Sequence, residues 1–189
     1  MGQSWDDRYR NSTAWEQPNR LLTSFAGLIP TRGRALDLAC GAGSNSVWLA
    51  ERGLEVTGID FSAEALRKGE DLAQSRGCTV HWFQADLQSY PLPAAEADIV
   101  VCFCYRDPAL YPRIRAALRP GGHLFYETYT LNQLSYASGP RNPDHLLRPG
   151  ELLTAFADWQ VLFYRETWIK HGLASLVAKK PGTTLSNPM

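Results

Sequence analysis

The 189-residue chain predicts an α/β domain built on a mainly parallel sheet, and three features of its pattern carry that expectation. Short β-rich runs alternate with helix-length segments over 34–129, which is the signature of parallel strands joined by helical crossovers. A glycine-rich turn links the first such run to the first helix. Two further β-rich runs then close the chain, near enough in sequence to pair as an antiparallel hairpin.

Taken in order, RALDLA (34–39) reads as the first strand and SNSVWLAER (44–52) as the helix after it. LEVTGID (54–60) is the second strand, and 62–76 is a helix stopped by Gly77. TVHWFQ (79–84) and the apolar run DIVVCFC (98–104) are strands three and four. Asp107 followed by Pro108 marks the start of a helix over 108–118, because Asp caps free N–H groups and Pro at the first position loses no hydrogen bond. Pro112 is expected to distort or delay its first turn. A turn at Pro120-Gly121-Gly122 leads into a fifth strand, HLFYETY (123–129). Residues 130–150 are too long and polar for a plain connection and read as a substrate-side loop. A short helix at about 150–157 precedes the closing strands, 159–168 and 173–180.

Composition narrows the function. Nineteen basic residues balance nineteen acidic ones, so no global positive field gathers nucleic acid. No run approaches the about 18 apolar residues of a membrane span, and the polar N-terminus has no secretory pattern. Cys40, Cys78, Cys102 and Cys104 form no Cys-x-x-Cys pair, and reduced thiols fit a cytoplasmic location. His81, His123, His145 and His171 lack metal-ligand spacing, so no metal is expected. One domain over 1–189 is the expected organisation, with oligomeric state, monomer or homodimer, left open.

The strongest site signal is Asp37-Leu38-Ala39-Cys40-Gly41-Ala42-Gly43, where the first strand meets the first helix. Glycines there allow a tight turn and let a ligand approach backbone N–H groups at the positive end of a helix. Asp60 closes the second strand, where an acid accepts hydrogen bonds from both hydroxyls of a ribose. Asp86 follows the third strand at the same sheet edge and suits an adenine amino group. NAD is the competing ligand. Gly41-Ala42-Gly43-Ser44-Asn45-Ser46 lacks the third Gly/Ala of the dinucleotide fingerprint, however, and Asp37 would repel a pyrophosphate. A ligand with an amino-acid end and its ammonium fits better.

Leu36 to Leu49, LDLACGAGSNSVWL, resembles the first motif of class I S-adenosylmethionine (SAM)-dependent methyltransferases, most closely the tellurite-resistance-type group. Trp5-Asp6-Asp7-Arg8-Tyr9, Gln17-Pro18-Asn19 and Ala117-Leu118-Arg119-Pro120-Gly121-Gly122 are similar to elements of small bacterial members. The resemblance implies a Rossmann-like fold: a mostly parallel seven-stranded sheet with a C-terminal antiparallel hairpin and helices on both faces. It also implies SAM as cofactor and S-adenosylhomocysteine as product. The family pattern puts Asp37, Ala39, Gly41 and Gly43 at the methionine end, Asp60 at the ribose, and Asp86 with Leu87 at the adenine, with Phe61 flanking the ring. Asn45 stands where many relatives have a third glycine, and Cys104 replaces a polar residue often found after strand four; both are counted as cofactor contacts.

SAM brings its own activation as a sulfonium, so positioning and water exclusion carry much of the catalysis and a dedicated base is not required. Tyr105 and Arg106, just beyond strand four, are substrate-side candidates, since ligands of open α/β sheets sit beyond the carboxyl ends of strands. Glu127 at the end of strand five could take a proton, Arg141 could meet an anionic group, and His171 could act as acid, base or anion binder. The aromatic N-terminal segment, with Trp5, Tyr9 and Trp15 in residues 1–30, is read as a lid over the cofactor. A small-molecule acceptor is expected: a thiol, a metalloid oxyanion, or a small acid or phenol. A non-catalytic SAM-binding module and a nucleic-acid or protein methyltransferase are the alternatives.

Overall fold

A computed structural model describes residues 5–10 and 17–182. Trp15 lies outside them. Seven strands form one sheet in the order β3-β2-β1-β4-β5-β7-β6. They are β1 (Arg34–Leu38), β2 (Glu55–Asp60), β3 (His81–Gln84), β4 (Ala97–Phe103), β5 (Leu118–Tyr129), β6 (Gln160–Thr167) and β7 (Leu173–Lys179). The first five pair in parallel. β7 is inserted antiparallel between β5 and β6, so the expected closing hairpin also completes the sheet.

The helices are α1 (Trp5–Arg10), α2 (Arg20–Ser24), α3 (Ser44–Ala50), α4 (Ala63–Ser75), α5 (Leu110–Ala117) and α6 (Glu151–Ala155). Side chains alternate along a strand, so a sheet covered on both faces reads as continuously apolar. β4 is buried over all of its length for that reason. Val100, Cys102, Leu124 and Tyr126 pack with Leu110 and Ile114 of α5 and Leu152 of α6 on one face. Ile99, Val101, Phe125 and Val177 pack with Leu22, Val47, Leu49 and Ala73 on the other.

Three boundaries differ from the sequence reading. Asp107 accepts from the Ala109 N–H at 2.9 Å, but it opens a preliminary turn, and the helix proper begins at Leu110. Pro112 therefore sits within the first turn, where a missing N–H costs no helical bond. The Pro120-Gly122 turn is absorbed into β5, which runs unbroken from Leu118 because Gly121 adopts φ +82° and the pairing with β4 shifts register there. The segment 130–150 holds two 3-10 turns, Leu131–Ser135 and Pro143–His145, and is bridged back by Thr130 to Leu147.

One packing feature lies behind the glycine-rich turn. A Cβ added to Gly43, Gly58 or Gly69 would lie 2.3, 2.8 or 2.8 Å from the Trp82 ring. Three glycines from a loop, a strand and a helix thus make the space into which this indole from β3 wedges.

Candidate active site

At the carboxyl end of β1 the chain turns sharply, with Ala39, Gly41 and Gly43 all at positive φ (55°, 56° and 75°). Only glycine adopts this without strain, so Ala39 marks a position where the surroundings enforce the turn. The turn is tied to its neighbours: the Cys40 N–H donates to the Ile59 carbonyl at 3.0 Å and the Gly41 N–H to Asp60 Oδ2 at 2.8 Å. Asp60 Oδ1 accepts from the Ser62 N–H at 2.9 Å. Asp60 therefore joins the first glycine to the end of β2.

Asp37 is buried beneath this turn, and the Ser46 hydroxyl donates to it at 2.6 Å. Burial raises its carboxyl to about 7, against the lowering effect of that hydrogen bond. Burial likewise raises Asp60, opposed by its backbone donors. Two carboxyls held above their ordinary range beside an open-backbone turn suit a ligand that brings positive charge and hydroxyls. An ammonium next to Asp37 would favour its charged form, and ribose hydroxyls would serve Asp60. The residues present fit SAM on this ground.

Further along the crevice, Asp86 is exposed and accepts from the Gln88 N–H at 2.9 Å, while Leu87 is buried. Phe61 is 67% exposed on the rim. Arg113 of α5, not anticipated from the sequence, donates to the carbonyls of Leu87 and Gln88 and so fixes this turn from behind. Only its distance in sequence hid it. Cys104, at φ +58°, donates its N–H to the Glu127 carbonyl at 2.9 Å. It keeps exposed surface, while burial around its sulfur and the Glu127 carboxylate push the thiol up to about 11.

Helix α1 lies against α4 and comes down on the turn. The Ser62 hydroxyl donates to Asp6 at 2.5 Å, and Lys68 donates to the Tyr9 carbonyl. Tyr9 is buried, and a Cβ on Gly41 would sit 2.4 Å from its hydroxyl oxygen. Asn19 ties in the second N-terminal piece: its N–H donates to Asn45 Oδ1 at 2.7 Å and its Nδ2 to Glu127 Oε1 at 3.0 Å. The Ser175 hydroxyl donates to Glu127 Oε2 at 2.5 Å.

The acceptor-side candidates are not gathered into one cluster. Tyr105 packs against the core, its phenol pushed up to about 12 by burial. Arg106 donates Nε and Nη2 to Glu151 at 2.8 and 2.9 Å and Nη1 to the Asp144 carbonyl at 2.7 Å, which makes it a strut between the β4–α5 loop and α6. Arg141 is exposed and donates to the Tyr136 carbonyl. His171 is exposed, with its ring 6.3 Å from that of Tyr136. Among the described residues no cluster of His, Cys, Asp and Glu suits a metal ion, and no helix is long and apolar enough to cross a membrane.

Residues 35–122 match a family described as "Methyltransferase domain". The chain is 31% identical over 126 residues to the malonyl-[acyl-carrier protein] O-methyltransferase of Enterobacter lignolyticus, covering 63% of this chain and 49% of the relative. It is 29% identical over 140 residues to the ubiquinone biosynthesis O-methyltransferase of Vibrio vulnificus, covering 64% and 60%. The chain thus spans about half to three fifths of the length of these relatives. Among solved structures, TehB from Haemophilus influenzae superposes with a TM-score of 0.73 at 19% identity, over 93% of this chain and 66% of that one. The PH0226 protein from Pyrococcus horikoshii also gives 0.73, at 20% identity, over 95% and 100%. The glycine turn with its two acids, the β3-β2-β1-β4-β5-β7-β6 sheet and the match over 35–122 converge: the chain has the Rossmann-like fold of its methyltransferase neighbours, and residues 35–122 are similar to a methyltransferase domain.

Proposed function

We propose that the protein binds SAM along the crevice at the carboxyl ends of β1, β2 and β4 and transfers its methyl group to a small-molecule acceptor in the cytoplasm. The observation that carries the reading is the pairing of buried Asp37 with the Gly41–Asp60 link, which sets two carboxyls against a sharp glycine turn at the carboxyl ends of β1 and β2. Asp37, Ala39, Gly41, Gly43 and Asn45 would hold the methionine end, Asp60 the ribose, and Asp86, Leu87 and Phe61 the adenine, with Cys104 beside the transferring methyl. SAM supplies an electrophilic methyl on a sulfonium and thereby the driving force of the transfer. The chain's own contribution is to orient the acceptor and exclude water, which Tyr9 and α1 support by covering the turn.

On the acceptor side the reading assigns Tyr105 and Glu127 to the wall beyond β4 and β5. Arg141 and His171, on the 130–150 loop and the β6–β7 turn, would meet larger acceptors at the rim. Arg106, held by Glu151, would shape this wall. Because the named relatives above are O-methyltransferases, hydroxyl and carboxyl acceptors come first in a screen, ahead of thiols and metalloid oxyanions.

Calorimetric titration with S-adenosylhomocysteine tests the cofactor part. Wild type is expected to bind, and Asp60→Ala to lose at least tenfold in affinity. Asp60 also braces the Gly41 and Ser62 N–H groups, so the melting temperature of Asp60→Ala is measured beside its affinity, and lost affinity at an unchanged melt separates ribose recognition from turn collapse. A methyl-release assay across phenols, carboxylic acids, thiols and oxyanions then tests transfer. Absence of binding by folded wild type would overturn the reading.

A further inference from the structure

We infer that Asn19 is a positioning residue of the methyl-transfer site, a clasp that holds Asn45 and Glu127 at a set spacing across the mouth of the crevice. The inference rests on the SAM-binding reading above and assigns a role to a residue that stands outside the glycine turn and its acids.

The hydrogen bonds leave Asn19 a single orientation. Its Oδ1 accepts from the Leu21 N–H at 2.7 Å and so caps α2. The amide is thereby fixed with Nδ2 pointing the other way, toward Glu127 Oε1. Its backbone N–H reaches a third partner, Asn45 Oδ1, in the first turn of α3 directly after Gly43. One residue thus engages three separate elements.

What it joins matters. Asn45 is buried next to the glycine turn, on the cofactor side. Glu127 lies near the end of β5 beside Cys104, on the acceptor side, and its carboxylate accepts one hydrogen bond on each oxygen, from Asn19 and from buried Ser175. A carboxylate gripped at both oxygens is an anchor for the clasp. The N-terminal segment is also fixed a second time, where α1 rests on α4 through Asp6 and Ser62. Helix α1 and Asn19 are thus held to the surroundings of the turn at two separate places.

A donor–acceptor swap tests the clasp without removing the helix cap. Asn19→Asp keeps the oxygen for Leu21, since Asp and Asn cap equally well, but sets a carboxylate against Glu127. Glu127→Gln in the same chain restores the pair, its amide donating to the new carboxylate while its oxygen still accepts from Ser175. Affinity for S-adenosylhomocysteine and thermal stability are measured on wild type, both single variants and the double variant. The clasp predicts at least tenfold weaker binding for Asn19→Asp and recovery to within about threefold of wild type in the double variant, a coupling a double-mutant cycle isolates. Binding by Asn19→Asp equal to wild type would overturn it, even if the melting temperature fell, because Asn19 would then be a structural cap alone. A double variant no tighter than Asn19→Asp would also overturn it. Failure of wild type to bind would instead overturn the SAM reading on which the inference stands.

Discussion

Asp37 carries a specific pH dependence. Its carboxyl titrates near pH 7 when folded and near 3.8 when unfolded, mainly because burial disfavours the charge. Below about 4 both states are protonated and the group is neutral in effect. Between 4 and 7 the unfolded chain gives up the proton and the folded chain keeps it, so the ligand-free protein loses stability as pH rises through this window, and the loss is constant above it. An ammonium-bearing ligand selects the ionised form. S-adenosylhomocysteine affinity is therefore expected to fall by up to about tenfold per pH unit below 7. Titrations from about pH 5.5 to about 8.5 would show this slope in wild type and a flatter profile in Asp37→Asn. A second residue-scale prediction concerns Gly69, whose Cβ would enter the Trp82 ring at 2.8 Å. Gly69→Ala is expected to cost about 1–3 kcal/mol by overpacking, despite the better helix propensity of alanine, and to lower the midpoint of urea unfolding. Asp37, Gly41, Gly43 and Asp60 were legible in the sequence because a turn and its acids follow one another along the chain. Trp82, Ser46 and Arg113 were not, since each reaches the site from a different element and leaves no periodic trace.

At the scale of elements, the strut from Arg106 to Glu151 joins the β4–α5 loop to α6, with Tyr111 also donating to Glu151 at 2.6 Å. Burial pushes the Glu151 carboxyl up, but these donors outweigh it and hold it below its usual range. Glu151→Ala leaves a largely covered guanidinium unpaired. A loss of about 2 kcal/mol is expected, with faster amide hydrogen exchange over 143–155 as the measurement. The element boundaries show why sequence pattern stops short. A continuous apolar run announced β4, and a β-rich run over 123–129 announced the second half of β5, while the Pro-Gly-Gly stretch signalled a turn. Pairing of Leu118 with Ala97 across the sheet outweighed that local preference and drew the strand through it. The strut made by Arg106 was hidden for a related reason: its partner Glu151 lies 45 residues away.

For the molecule as a whole, the two faces of the sheet share their load through the central strands. Leu176 and Val177 of β7 are fully buried on opposite faces. Leu176→Ala is expected to cost about 2–5 kcal/mol, in the range of full-size core truncations, and to shift the urea midpoint without changing the slope. The overall architecture was readable because alternation of strand and helix leaves few ways to lay down a right-handed parallel sheet. The clasp at Asn19 was not, although its Gln-Pro-Asn setting stood out, because its partners come from α3, β5 and, through Glu127, β7.

The place of β7 has a consequence for how the protein is made. It is the last of the seven strands to leave the ribosome and yet an interior one, between β5 and β6. Until residues 173–179 emerge, β5 presents a bare hydrogen-bonding edge, the stretch His123 to Tyr129 that β7 later covers. Nascent chains with such an edge are prone to pair with one another. The yield of soluble protein should thus depend on translation speed and chaperone supply while residues 173–179 are being made.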